Sequence, residues 1–286
     1  MKNKGFTIIE VLVALVIFAV VSGSIYQILI QNERTYRQQA ERVTINSNVR
    51  TALAILPGEL RELNASDALQ SDIVGMSSDF IQYKAMRNLY FLCQDPNVGP
   101  GEITVWANPW YGARAIDSDL DSVFVFADGS ESSRNDDRWV HAGAKQLTTG
   151  TDCPGGAASV KIRLQGISAP GLVAVRNGAP VRGYEVVQLS LYEDALGDYW
   201  LGRSSWRKGG SNWTAIEPLL GPLSATGLQF IYYDTLNVVT ALPSDVARIA
   251  VTVEGESDMV STSRGGVGTI TVDLVTSIAL RNNVRF

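Results

Sequence analysis

The sequence predicts an α+β protein, with a long N-terminal helix packed on an antiparallel β-rich body. Three observations support this fold class. Residues 6–30 are almost wholly apolar, residues 45–63 carry an apolar stripe at helical spacing, and the chain from about residue 80 onward alternates apolar and polar residues in short runs. With 286 residues, of which 45% are hydrophobic, the chain is long enough to bury a core in one medium-sized body.

The first element is an apolar helix from Phe6 to Ile30, with an uninterrupted apolar run from Val11 to Val21. At ~1.5 Å per residue its 25 residues extend about 37 Å, which is enough to cross the hydrocarbon core of a bilayer with some tilt. Lys2 and Lys4 precede the segment, so we expect the N-terminus to lie in the cytoplasm and the body outside.

Glu10 decides between the possible roles of this segment. A carboxylate at this depth costs on the order of 2.5–3.5 kcal/mol on insertion scales, and such residues usually mark a function. A secretory signal peptide cut near Ser22 to Ser24 does not need this residue, nor does a plain signal anchor. A buried soluble helix is disfavoured by the uninterrupted apolar run.

The residues around Glu10 resemble the N-terminal motif of type IV prepilins and type II secretion pseudopilins. The matching stretch runs from Lys4 to Leu15 and reads KGFTIIEVLVAL. The resemblance implies that a prepilin peptidase cuts between Gly5 and Phe6, and that the exposed amine of Phe6 is methylated. It also makes residues 1–5 a leader peptide.

The resemblance suggests a physical reason for the position of Glu10. Cleavage would leave an α-amino cation on Phe6, one helical turn before the carboxylate. Each charge alone is costly in a low dielectric, and pairing offsets much of that cost. If the amine belongs to a neighbouring subunit, the pair also fixes the axial register of assembly. A pair within one chain is the alternative.

We expect the helix to continue beyond the membrane, from about Phe6 to about Leu63, as one helix or two collinear ones. Its apolar stripe recurs at spacings of three and four. Pro57-Gly58 is expected to kink or break it, because proline removes a backbone donor and glycine lowers helix propensity. The predicted division is a membrane helix over 6–30, helix continuing into the body over 31–70, and a periplasmic or other extracytoplasmic body over 71–286.

The body is predicted to consist of antiparallel strands separated by Gly, Pro, Asn and Asp clusters. The clearest predicted strands are Ser122 to Ala127, Ser159 to Gln165, Tyr184 to Tyr192, Tyr199 to Trp206, Gly227 to Tyr233, Val246 to Glu254 and Thr269 to Leu280.

Parts of the body resemble PilW-type minor pilins and J-type minor pseudopilins. The stretches that carry this resemblance are Tyr184 to Val187, Ser190 to Tyr192, Gly227 to Asp234, Leu242 to Ile249 and Ala279 to Asn282. Residues 92–156 match no motif of these groups.

Cys93 and Cys153 are the only two cysteines, and both follow the predicted membrane segment. An even count in an exported domain favours one disulfide, which would close a loop of roughly 60 residues and contribute about 3–4 kcal/mol in the chain-entropy model. Two separate buried thiols are the alternative.

Other chemistry has little support in the sequence. The formal net charge of −5 argues against nucleic-acid binding. His141 is the only histidine and is expected at the surface or in a loop, without partners for a zinc site or a catalytic triad. Asp117, Asp119 and Asp121 are spaced like the start of a calcium loop, but Ser122 replaces the glycine of that loop, so a solvated turn is preferred. We therefore predict no metal, no cofactor and no enzymatic activity.

The resemblance implies a minor type IV pilin-like subunit of the inner membrane that takes part in pilus assembly or priming. A minor pseudopilin of a type II secretion system is the nearest alternative, and an anchored adhesin or effector is an alternative of another class. The implied partners are other pilin or pseudopilin subunits, the prepilin peptidase and methyltransferase, the inner-membrane assembly platform and the lipid bilayer.

Overall fold

A computed structural model describes residues 7–65, 71–129, 137–167, 169–257, 260–261 and 267–281. Its elements in chain order are α1 (Ile8–Leu60), β1 (Ile73–Met76), β2 (Phe80–Phe91), β3 (Glu102–Trp106), β4 (Tyr111–Gly112), β5 (Asp121–Ala127), β6 (Arg138–Cys153), β7 (Ala157–Gln165), α2 (Ala169–Val173), β8 (Pro180–Glu193), β9 (Tyr199–Arg207), β10 (Asn212–Trp213), β11 (Glu217–Tyr233), β12 (Arg248–Glu256), β13 (Val260–Ser261), β14 (Val267–Gly268) and β15 (Thr271–Ala279). The predicted α+β class, with a long helix on an antiparallel sheet, is confirmed.

One large antiparallel sheet forms the body. Within the described ranges its main path follows the order β15-β12-β11-β9-β8-β5-β6-β7-β3, and β1, β2, β4 and β10 pair off this path. β13 and β14 form a separate two-stranded ribbon. All seven strands predicted from the alternation are present, within a few residues of the expected bounds except for β11, which begins ten residues earlier.

The second half of α1 packs on β11, β12 and β15. The side chains that it buries follow the predicted stripe and are Ile45, Val49, Ala52, Leu56 and Leu60. Gly255 on β12 lets the helix come close, because a Cβ at this position would lie 2.5 Å from Ile45 Cγ2. Asn48 adds a polar tie, since its Nδ2 donates to the backbone oxygen of Gly221 at 2.9 Å.

Of the kink or break expected at Pro57, the break does not occur. α1 runs through it and ends one turn later at Leu60, three residues before the predicted end and well short of residue 70. The proline costs the backbone bond that its missing N–H would make, about 3 kcal/mol in a helix interior. Leu56 and Leu60 are fully buried, and each contributes about 1.5–3 kcal/mol. Their burial is sufficient to offset the cost of the proline.

The core of the body has two parts. One hydrophobic cluster lies beneath α1 and includes Tyr83, Val187 and Leu228. The other involves the side chains of β3, β5, β6 and β7 together with Leu172 of α2, and it includes Val181 of β8. Residues 92–156, which matched no known motif, therefore supply much of a second core on the same sheet.

Candidate assembly helix and its anchorage

The N-terminal end of α1 is capped by its own acidic residue. Thr7 is the N-cap, and its backbone N–H and hydroxyl donate to Glu10 Oε2 at 2.9 and 3.0 Å. The Thr7 Oγ1 in turn accepts from the backbone N–H of Glu10 at 3.4 Å. This capping box satisfies donors that would otherwise lack partners at a helix start. Glu10 thus has a structural role within the chain, which the sequence analysis did not foresee.

The predicted cleavage site lies outside the described residues, because the description begins at Thr7, directly after Gly5 and Phe6. The carboxylate of Glu10 lies within 3 Å of the backbone nitrogen of Thr7, the residue that would follow a new terminus at Phe6. Cleavage, methylation and the role of Glu10 in register therefore stay predictions.

The first half of α1 exposes apolar side chains all around the helix. Ile8 is 84% exposed, Phe18 71% and Leu29 61%, and every residue from Thr7 to Leu29 is exposed. By length and composition this part of α1 is able to cross a membrane, and its most apolar stretch has no buried residue. A helix that is apolar on all sides requires lipid or other helices around it.

A buried ionic cluster fixes the distal end of α1 to the sheet. Tyr83 donates its hydroxyl hydrogen to Glu59 of α1 at 3.0 Å, and Arg87 on β2 lies 3.5 Å from the same carboxylate. Arg87 Nε also donates to Glu185 on β8 at 2.6 Å. The guanidinium of Arg87 therefore bridges a helix carboxylate and a sheet carboxylate.

Two further arginines and a third carboxylate complete this ionic cluster. Arg203 Nη2 and Arg114 Nη2 reach Glu185 at 2.5 and 3.2 Å. Arg114 also grips Asp121 with both terminal nitrogens, at 2.7 and 2.6 Å. Glu185 lies between Val181 and Val187 on the buried face of β8, so the cluster separates the two hydrophobic cores.

The ionic cluster holds Glu185 in its charged form. Burial raises the pKa of its carboxyl, but the hydrogen bond from Arg87 and the positive charges of the arginines outweigh it and lower the pKa below the usual value. Sequence reasoning quoted Glu185 only as part of a strand motif. Its burial could have been inferred from its position, because it lies an even number of residues from the buried Val181, Val187 and Leu189 and so points to the same face of the strand.

The other residues considered from the sequence have ordinary positions. Asp121 belongs to the ionic cluster rather than to a solvated turn, since its side chain is fully buried against Arg114. Asp117 Oδ1 accepts from the backbone of Asp119, as in a local turn. His141 is exposed as expected, but it lies on strand β6 rather than in a loop. Within the described ranges, no three His, Cys, Asp or Glu side chains come together as a metal site would require.

Cys93 and Cys153 form the predicted disulfide, with a sequence separation of 60 residues. Both cysteines are buried, and the bond joins the segment after β2 to the end of β6. It therefore closes most of the segment that builds the second core.

Comparison with known proteins gives two matches. Residues 1–26 match the family model described as the prokaryotic N-terminal methylation motif. The chain is also 36% identical over 80 residues to type II secretion system protein J of Vibrio cholerae, an alignment that covers 28% of this chain and 36% of that protein. The chain thus spans about a third of the length of this relative. No solved structure matches it.

Both matches agree with the resemblance inferred from Lys4 to Leu15. The match to the family model includes the start of α1 with Thr7 and Glu10. The chain carries the N-terminal methylation motif of prepilins and is similar to the type IV pilin and pseudopilin family.

Proposed function

We propose that the chain is a minor type IV pilin-like subunit that a prepilin peptidase cuts between Gly5 and Phe6 and that then takes part in pilus assembly or priming. The single observation that carries the proposal is the division of α1. Its first half has the methylation motif and exposed apolar side chains, whereas its second half buries one apolar stripe against the body.

The division of α1 fits a subunit that inserts one half of its helix among other helices. The fully buried side chains of α1 begin at Ile45, and residues 7–29 are all exposed, so that part of the helix is available to lipid before assembly and to neighbouring helices afterwards. In this proposal the subunit spans the inner membrane once, with its N-terminus in the cytoplasm and its body in the periplasm. Its role is structural, and its partners are other pilin subunits, the peptidase and methyltransferase, and the assembly platform.

A minor pseudopilin of a type II secretion system is the second candidate. The similarity to protein J of the Vibrio cholerae system supports it, although it covers only 28% of this chain. The geometry of α1 is compatible with a type IV pilus and with a type II secretion pseudopilus alike. An anchored adhesin or effector would use the same anchor without pilin partners, and this third possibility is distinguished by the experiment below.

Three variants test the role of Glu10 by co-purification from gently solubilised membranes. Glu10→Gln keeps an acceptor for the capping box but removes the charge, since glutamine also serves in this motif. Thr7→Ala removes the hydroxyl of the box but keeps the carboxylate. We expect Glu10→Gln and Glu10→Ala to be cleaved and inserted normally yet to lose their pilin partners, and Thr7→Ala to retain them.

Normal partner recovery with Glu10→Gln would show that the charge pair is not needed for assembly. Loss of partners with Thr7→Ala as well would assign the effect to the helix cap. Recovery of cleaved wild-type protein without any pilin or pseudopilin partner would favour the anchored effector. The identity of the recovered partners separates the pilus from the secretion system.

A further inference from the structure

Strand β15 has an open edge. It pairs with β12 alone, in one continuous register from Arg248↔Ala279 to Glu256↔Thr271. Two backbone hydrogen bonds beyond the strand ends, Leu280 N to the oxygen of Ala247 and Ser257 N to the oxygen of Ile270, set the phase of this ladder. Even-numbered residues from 270 to 280 therefore bond to β12 or its extension, and the odd-numbered residues 271–279 direct their backbone groups outward.

The outward groups of β15 are unprotected. Among the described residues, none forms a backbone hydrogen bond with the outward N–H and C=O groups of the odd-numbered residues 271–279. The strand has no proline, no lysine and no bulge, which are the usual means of blocking an edge. Val275 is 64% exposed at its centre. Such an edge is able to accept another strand.

An open groove accompanies the edge at its distal end. It has a volume of about 630 Å³ and is lined by Pro57 and Arg61 at the end of the helix, by residues 276–279 of β15 and by Arg281. Because both the groove and the outward backbone groups run along the same strand, an extended segment fits this surface better than a helix would.

β15 runs in the same direction as α1. Its start pairs with the end of β12, next to Gly255. A Cβ at Gly255 would contact Ile45, so this end of the strand lies beside the membrane-proximal part of the buried stripe of α1. At its end, the backbone N–H of Arg281 donates to the oxygen of Arg61 just after α1. Both elements therefore lead away from the apolar half of α1.

The direction of β15 and its charges argue against a second copy as the occupant. Antiparallel pairing of β15 with its own counterpart would point the two apolar half-helices in opposite directions, so that they could not share one membrane. The other edge strand of the path, β3, is already covered, because Cys93 N donates to the oxygen of Thr104 and Leu92 bridges Val105. Parallel pairing of the two β15 edges would let both half-helices share one membrane. It would also bring Asp273 close to the Asp273 of the other copy and Arg61 close to its Arg61, so repulsion between like charges disfavours a second copy.

The charges along the edge give it a polarity. Asp273 pairs in register with Glu254 near the membrane-proximal end, and the described residues place no basic side chain within ion-pair distance of either one. Arg61 stands at the distal end, also without an ion pair in the described part of the chain, beside Arg281, which is paired with Glu62 at 3.1 Å. A complementary segment has a basic residue first and an acidic residue last.

We infer that the edge of β15 binds, in parallel, an extended segment of a different membrane-anchored subunit, with a basic residue opposite Asp273 and an acidic residue opposite Arg61. The inference rests on the proposed function for the shared membrane, which fixes the parallel direction. It adds a second contact between subunits, distinct from the packing of the apolar half-helices.

The test uses the full-length protein in its own membranes with a photo-crosslinking residue at position 279, which is exposed and lines the groove. Val275→Pro removes one outward N–H and obstructs the edge without touching the bonds to β12, and proline is tolerated at such edge positions. Val275→Thr is the matched control, because it keeps the N–H and the branched shape. Arg61→Glu reverses the distal charge and leaves the strand intact. A second probe at Leu29 reports packing of the apolar half-helix.

We expect the probe at 279 to crosslink to an extended segment of another anchored subunit, identified by peptide mass spectrometry. The yield should fall about tenfold with Val275→Pro and with Arg61→Glu, as for the loss of one interchain hydrogen bond or ion pair, and should stay unchanged with Val275→Thr. Crosslinks to a second copy, or a yield that neither Val275→Pro nor Arg61→Glu lowers, would overturn the inference. If Leu29 still crosslinks to pilin-like partners in that case, the proposed function stands; if Leu29 finds no partner, the proposed function fails as well.

Discussion

Gly255→Ala tests the close approach of α1 to the sheet. A methyl group at this position would lie 2.5 Å from Ile45 Cγ2 and 2.8 Å from Val49 Cγ2. Carbon atoms in favourable contact lie about 3.5–4.0 Å apart, so the helix or its side chains would have to move by about 1 Å. The substitution adds only one methyl group and changes no charge or hydrogen bond.

The expected cost follows from two opposing effects. Overpacking of a filled core destabilises by about 1–3 kcal/mol. The replacement of glycine also reduces the freedom of the unfolded chain, which stabilises by about 0.4–1 kcal/mol. We therefore expect a net loss of about 1–2 kcal/mol in the free energy of unfolding. Adding Ile45→Ala removes the nearest methyl group, so the two changes together should cost about 1 kcal/mol less than the sum of their separate costs.

The assay is urea unfolding of the detergent-solubilised protein followed by tryptophan fluorescence, because all six tryptophans lie in the body. Gly58→Ala in α1 is the matched control. No atom lies within 4 Å of a Cβ at Gly58, so this change should stabilise by about 0.5–1 kcal/mol. If Gly255→Ala stabilised the protein as much as Gly58→Ala, the close approach of helix and sheet would be refuted.

Three further changes probe the body by the same unfolding assay. Glu185→Gln should cost about 3 kcal/mol, because it removes the buried anion that three half-buried arginines share. Equal stability of variant and wild type would contradict the role of the ionic cluster. The folded-state pKa of Glu185 is lowered, so its contribution to stability is present above the usual value of 4.5 and is lost as the pH falls through the folded-state pKa. The Glu185→Gln variant should therefore lose less stability than the wild type when the pH falls from about 5 into the acid range, measured by the urea midpoint. Cys93→Ser also frees Cys153 and should cost about 4 kcal/mol, because it opens the loop of 60 residues. Amide hydrogen exchange should rise first in the second core, and a uniform rise over the whole body would contradict the local role of the disulfide. Asn48→Ala should cost about 1 kcal/mol through loss of its bond to the Gly221 oxygen, and an unchanged midpoint would show that this tie is not needed.

The elements predicted well from sequence are those with one buried face. The stripe from Ile45 to Leu60 and the alternation of β12 both have every core position apolar, so their periods are visible in the sequence. The N-terminal motif was equally clear, because an acidic residue inside an apolar helix is rare.

The strands that sequence reasoning did not single out have weaker patterns. β6 runs for 16 residues, but most of them after Ala144 are exposed or half-buried, so no alternation marks the strand. β2 alternates clearly over its first half, but its register shifts between Met86 and Asn88, and the first buried position after the shift is the polar Asn88. The ionic cluster was missed for a related reason. Its members come from six separate segments, and only the fold brings Arg87, Arg114 and Arg203 to Glu185.

The most direct test of the central claim is the intact mass of the protein isolated from membranes of cells that have the prepilin peptidase. The account predicts a chain that begins at Phe6, lacks the five leader residues and carries one added methyl group. A chain that still begins at Met1, or one cut near Ser22 to Ser24 by a signal peptidase, would contradict it.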